Sequence, residues 1–202
     1  MLPRFDSSFC KQAFTLTTAL LVEWRFYDRS PIESQAVLIH FLGVRGSERT
    51  LTPEKSRALI EFCRSCTVTV FAVNFLYVKG EDNEKVMEAF YEKLLPFSAG
   101  QKVLECIGGS GFREQPCWTL DDSSIELILR ETSGDLFAYN ILHKPEDWLF
   151  YRDDSILLQI VSHEQEAILR VSGAEYERFQ KLQIPHSSGL PQWTALPEQP
   201  IR

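Results

Sequence analysis

The chain has 202 residues, 44% of them hydrophobic and 24% charged. That is long enough to bury a core without disulfides or metals, and too apolar to stay disordered. The formal charge is −7, and its excess is confined to one half: residues 1–100 hold 12 Lys/Arg and 12 Asp/Glu, residues 101–202 hold 9 and 16. Such a field repels a phosphate backbone and attracts cationic surfaces, which argues against nucleic acid as a ligand and for a basic protein partner.

The first residues, Met1 to Asp6, lack the basic region and apolar run of a signal peptide, and the apolar stretch at 19–22 is too short to be one. No stretch reaches the length of a membrane span. Cys10, Cys63, Cys66, Cys106 and Cys117 are an odd number in a chain that needs no staples, so free thiols in a reducing cytoplasm are expected.

In chain order, Phe14, Leu16, Thr18, Leu20, Val22, Trp24 and Phe26 recur with a period of two, one face much more apolar than the other, and predict a strand over 14–26; residues 36–42 predict a second. Thr52-Pro53-Glu54 opens a helix to about Cys66, with Thr as cap, Pro at the first helical position and an acid in the first turn. The β-branched and aromatic run at 67–78 reads as a central strand, followed by a helix over 82–95 that Pro96 stops and a strand over 102–107. Strand, helix, strand across 67–107 suggests a βαβ crossover. Residues 108–118 read as a loop, 125–130 and 136–142 as strands joined by Thr132-Ser133-Gly134-Asp135. Residues 148–171 read as three strands turned at Asp153-Asp154-Ser155 and at Glu164-Gln165-Glu166, so a meander of four or five strands is expected in all. Ser172-Gly173-Ala174-Glu175 is a capping box opening a short helix to about Leu182, and residues 183–202, with four prolines, form an extended tail that Trp193 pins. The predicted fold is one α+β domain: a mixed or antiparallel sheet with a C-terminal meander, two main helices and a short C-terminal helix. Its sub-layers would be 12–107 and 118–182.

Chemical motifs are few. Cys63-Arg64-Ser65-Cys66 has C-x-x-C spacing, but at a helix C-terminus, where the dipole raises rather than lowers a thiol pKa. Cys106 and Cys117 are too far apart to complete a zinc site. Gly108-Gly109-Ser110-Gly111 follows a strand as phosphate loops do, but neither a helix start nor Gly-Lys-Ser/Thr follows it. His163 lies beside Glu164 and Glu166 just before a turn, whereas a strand would send His163 and Glu164 to opposite faces. There is no nucleophile elbow. No catalytic residue, cofactor or metal is assigned.

What remains is an acidic, aromatic-rich back half in which Trp148, Asp153, Asp154, Glu164 and Glu166 are the candidate partner-binding residues, as an aromatic anchor ringed by charge. In format the chain resembles bacterial immunity proteins that neutralise toxins: small, acidic, aromatic-rich, cytoplasmic and free of catalytic motifs. The resemblance implies non-catalytic binding of a basic toxin by an acidic face, and it transfers no residue roles. The rival expectations are a small-molecule enzyme using His163 or a carboxylate as a base in a cleft, and a homodimer or assembly subunit pairing through a sheet edge.

Overall fold

The strand expected over 36–42 forms as β1, Val37–Leu42, in a computed structural model that describes residues 37–42, 44–45, 48–74, 81–106, 111–138 and 147–188. The strand expected over 14–26, Cys10, His143 and Trp193 lie outside those residues. The other strands are β2 Val44–Arg45, β3 Glu48–Arg49, β4 Val70–Asn74, β5 Ser98–Glu105, β6 Phe112–Thr119, β7 Asp147–Arg152, β8 Ser155–Val161, β9 Glu166–Val171 and β10 Ser187–Ser188. The helices are α1 Pro53–Ser65, α2 Glu81–Leu94, α3 Asp122–Glu131 and α4 Gly173–Gln180. The fold is α+β. Eight strands form one antiparallel sheet in the order β10-β1-β9-β8-β7-β4-β6-β5, and β2 with β3 makes a separate hairpin.

Local chemistry explains most of these elements. Thr52 caps α1 through a 3.4 Å bond from the Lys55 amide, with Pro53 next. Ser172 and Glu175 form the reciprocal box that starts α4. The three strands at 148–171 are a meander as expected, β7-β8-β9. Neither of the two strands expected ahead of it forms among the described residues. Residues 125–130 belong to α3, whose start is a capping box in which the Ser124 amide donates to Asp121 Oδ1 (2.8 Å) and the Asp121 amide donates to Ser124 Oγ (2.9 Å). Ile125, Leu127 and Leu129 match a period of two, but the cap decides for helix. Residues 136–138 are a turn in which Asp135 Oδ1 accepts from the Phe137 amide. The remainder of that expected strand lies outside the described residues.

The loop expected over 108–118 is also corrected, since Phe112–Thr119 is β6 and pairs with β5 along its length. Pro116 is tolerated because it sits opposite Gln101 in a pair that exchanges no hydrogen bonds. Its missing N–H therefore points away from β5. The crossover survives in altered form: β4 and β5 each run antiparallel to β6, so they are parallel to one another with β6 between them.

Register places Ile39, Phe41, Phe71, Trp118, Trp148, Phe150, Leu158, Ala167 and Leu169 on one face of the sheet. All are buried, and helices cover them. Phe90 of α2 meets Trp148 edge-on at 6.2 Å, Tyr91 stacks on Trp118 at 5.6 Å, and Phe179 of α4 bridges Phe41 and Phe62. The other face is also buried at Leu149, Tyr151, Val70 and Ala72, because the sheet curls. The Glu105 amide at the end of β5 donates to the Asp154 carbonyl in the β7–β8 turn at 2.8 Å, so one edge strand touches the middle of its own sheet. The tail returns as well. Ile184 is buried, His186 packs edge-on against Phe179, and β10 adds to β1 as the opposite edge.

Candidate functional site

The five residues singled out as partner contacts do not share one surface. Trp148 is fully buried against Phe71 and Phe90, so it is a core residue and cannot anchor a partner. Asp153 and Asp154 are exposed at the β7–β8 turn, where Asp153 adopts a positive φ of 54° that a short polar side chain tolerates. Glu164 and Glu166 lie at the other end of the seven-residue β8, about 20 Å away at strand rise. Each of these two has a histidine close by: His163 Nε2 is 3.6 Å from Glu164, and His40 Nε2 is 3.6 Å from Glu166. Their turn is fixed by Gln165, whose amide donates to the Phe137 carbonyl at 2.8 Å, and by Ser162, whose hydroxyl donates to the Leu136 carbonyl at 3.1 Å. The expected acidic face is therefore two separate turns.

Three of the thiols are shielded by burial. Cys63, Cys66 and Cys117 are buried and free, and burial pushes each thiol up, Cys63 well above its ordinary value. Among the described residues, no group of His, Cys, Asp and Glu is placed to hold a metal ion. A cleft of about 510 Å³ opens between α1 and α3, but His163 does not line it. One pair of its charges is matched inside it: Arg57 grips Glu126 with both guanidinium nitrogens at 2.6 and 2.9 Å. That contact holds the Glu126 carboxyl below its usual range, and hydrogen bonds at the helix start do the same for Glu54. A carboxyl that serves as a general base near neutrality is normally shifted the other way.

A polar network that sequence spacing gave no hint of lies where β5 meets the meander. Tyr151 is wholly buried; its hydroxyl accepts from Gln115 Nε2 at 2.8 Å and donates to the Glu105 carbonyl at 3.1 Å. The Glu105 carboxylate accepts from Arg170 Nη1 at 2.8 and 2.9 Å and from the Ile156 amide at 2.7 Å. Burial pushes the Tyr151 phenol far up, so it stays a neutral donor. None of these groups lines the cleft between α1 and α3. The network bolts the β5–β6 hairpin to the meander. Comparison of the chain with family models, with curated proteins and with solved structures returned no match.

The bolt has a surface consequence. It seats the Asp153–Asp154 turn against the end of β5, beside Val103 and Phe112. These are two of the most exposed large apolar side chains among the described residues, at 58% and 59%. Val103 pairs with Glu114 and Phe112 lies two positions before it, so Val103, Phe112 and Glu114 share the outward face of the hairpin. Lys102 and Arg113 belong to the opposite set. Among the described residues, Glu114, Asp153 and Asp154 have no ion pair, unlike Glu105, Glu126, Glu131 and Glu175. An apolar pair edged by free carboxylates is the patch best suited to recognition.

Proposed function

We propose that this protein is a non-catalytic protein-binding module that engages a basic protein partner through the patch formed by Val103, Phe112, Glu114, Asp153 and Asp154. The partner would be of the kind that bacterial immunity proteins neutralise, a cationic toxin whose active surface is plugged by burial and charge. The observation that carries this reading is the juxtaposition of exposed apolar side chains with unpaired carboxylates on a rigidly held hairpin. Apolar anchors provide desolvated contact, and a rim of one charge sign accelerates encounter and rejects partners of like charge. Of the original acids, Asp153 and Asp154 stay in this proposal; Glu164 and Glu166 face elsewhere and Trp148 faces inward.

Affinity capture from the native cell, followed by mass spectrometry, tests it. A basic protein should be recovered, and its association should weaken as salt rises. Reversing both acids (Asp153→Lys with Asp154→Lys) should weaken it about 10-fold or more at low salt, at the 1.4 kcal/mol that each factor of ten represents. Recovery of only further copies of this chain would transfer the case to the self-assembly alternative.

A further inference from the structure

The two edges of the sheet differ in what they offer. At one end β10 has two residues; at the other, β5 has eight. In an antiparallel ladder successive residues direct their N–H and C=O alternately toward and away from the neighbouring strand. The Cys106 amide donates to the Gly111 carbonyl on the β6 side, whereas the Glu105 amide and carbonyl point the other way, to the Asp154 carbonyl and the Tyr151 hydroxyl. Counting back from Glu105, Val103 and Gln101 likewise direct their N–H and C=O away from β6. Among the described residues nothing receives them. The meander uses the outward station at Glu105, and the next two stand open among the described residues.

From this open edge we infer the mode of the proposed interaction, which rests on that reading: the partner adds an extended basic segment as a further strand alongside Gln101–Val103 of β5. Backbone pairing would supply affinity, and alternate side chains would supply specificity. One set of side chains would lie on the outward face against Val103 and Phe112, next to Glu114. Continuing about two residues past Val103, roughly 7 Å at strand rise, the segment would meet Asp153 and Asp154, where lysine or arginine is the complementary residue. Charge decides between a foreign segment and a second copy of this chain. Antiparallel self-pairing centred on Lys102 would set Ala99 of the second copy, not a cationic side chain, opposite Glu105 and beside Asp153 and Asp154, and would join two molecules each at −7. A cationic strand turns the same groups into attractions.

A synthetic peptide of about ten alternating lysine and valine residues is a suitable probe of strand addition. Its binding to the full chain would be followed by fluorescence anisotropy at low salt, beside two derivatives N-methylated on one or the other alternate set of amides. Only one set can face β5. Methylation of that set should weaken binding about 10-fold or more, and methylation of the other should leave it within about 3-fold. In the protein, Val103→Pro should weaken the parent peptide similarly, because the amide it deletes points outward and serves no β6 bond; circular dichroism reports whether the variant folds. The methylated pair needs no variant and stands even if that one misfolds. Equal binding of all three peptides overturns strand addition and leaves the acidic-patch reading intact. Parent binding untouched by Asp153→Lys with Asp154→Lys overturns the acidic-patch reading itself. Absence of any peptide binding, or a stable dimer dispersed by Val103→Pro in sedimentation, overturns strand addition by a basic segment.

Discussion

Tyr151 shows how much one hydroxyl can organise. It is buried, it satisfies Gln115, which is itself buried, and it holds the last carbonyl of β5. Tyr151→Phe keeps the ring and removes only those two bonds, leaving a buried amide and a carbonyl without their partner. The expected loss is about 1–3 kcal/mol in urea denaturation. The same group carries a pH signature. Burial raises its folded pKa above the ordinary value of 10. The protonated form is therefore favoured by folding, and the associated stability is complete below pH 10 and is lost as pH rises beyond it. Above pH 10 wild type should lose about 1.4 kcal/mol per pH unit relative to Tyr151→Phe, so the two stabilities converge. Parallel urea titrations on both sides of pH 10 measure this, and a constant difference would mean that the phenol ionises in the folded state. Residue-level roles of this kind were the least legible part of the sequence. The five network groups come from five elements, and no spacing along the chain announces that Glu105 will face Arg170. Trp148 fails in the opposite way. Its acidic neighbours suggested a rim, while the alternation of β7 put its ring on the helix-covered face.

At the scale of elements, legibility followed how local the determining chemistry is. Two helix starts with a recognised cap, Thr52-Pro53 and Ser172 to Glu175, were plain in the sequence and formed where expected, whereas Asp82, expected as the cap of the second helix, lies inside α2. The helix α3 was missed because its box uses Ser124 in place of the usual Glu or Gln, and its apolar residues fit a short alternation equally well. The strand β6 was missed because Pro116 reads as a breaker when only sequence is considered; its tolerance depends on which side of the strand is paired. If the cap is what commits residues 122–131 to a helix, Asp121→Ala should cost about 0.5–2 kcal/mol. Asp121→Asn, which still accepts from the Ser124 amide, should cost much less. The loss should concentrate in faster amide exchange in the first turn of α3, at Ser124 and Ile125. A uniform acceleration across the sheet would instead assign Asp121 a role in global stability. Gly134 closes the same helix at a φ of +76°, where an added Cβ would come within 2.6 Å of Pro53, so α3 is matched to α1 at its end as well as along its length.

Across the described sheet, contacts gathered at Glu105 hold a row of strands in a curl: its backbone bonds to Asp154 and Tyr151, and its carboxylate to Ile156 and Arg170. Glu105 and Arg170 are separated in the sheet order by β8, β7, β4 and β6, yet their side chains bond at 2.8 Å. They can meet only because twist accumulates strand by strand and brings β5 back over the meander. Both side chains are largely buried, at 13% and 21% exposure, so each charge depends on the other for the solvation it has lost. Removing one partner should therefore cost more than removing both. Arg170→Met leaves the carboxylate with little beyond the Ile156 amide and should destabilise by roughly 2 kcal/mol, below the 3–5 of a fully buried pair because some water reaches it. Glu105→Gln in that background should restore part of the loss, with a coupling of about 1 kcal/mol or more in a double-mutant cycle. The surface should respond too. Once the bolt is cut, the Asp153–Asp154 turn no longer holds a fixed position beside Val103 and Phe112, and amide exchange at Glu105 should accelerate before that of β4 or β8. Single losses that simply add, within about 0.5 kcal/mol, would show that the backbone bond from Glu105 to Asp154 closes the sheet unaided. The ion pair would then be a passenger on the curl, and the patch geometry would owe nothing to it.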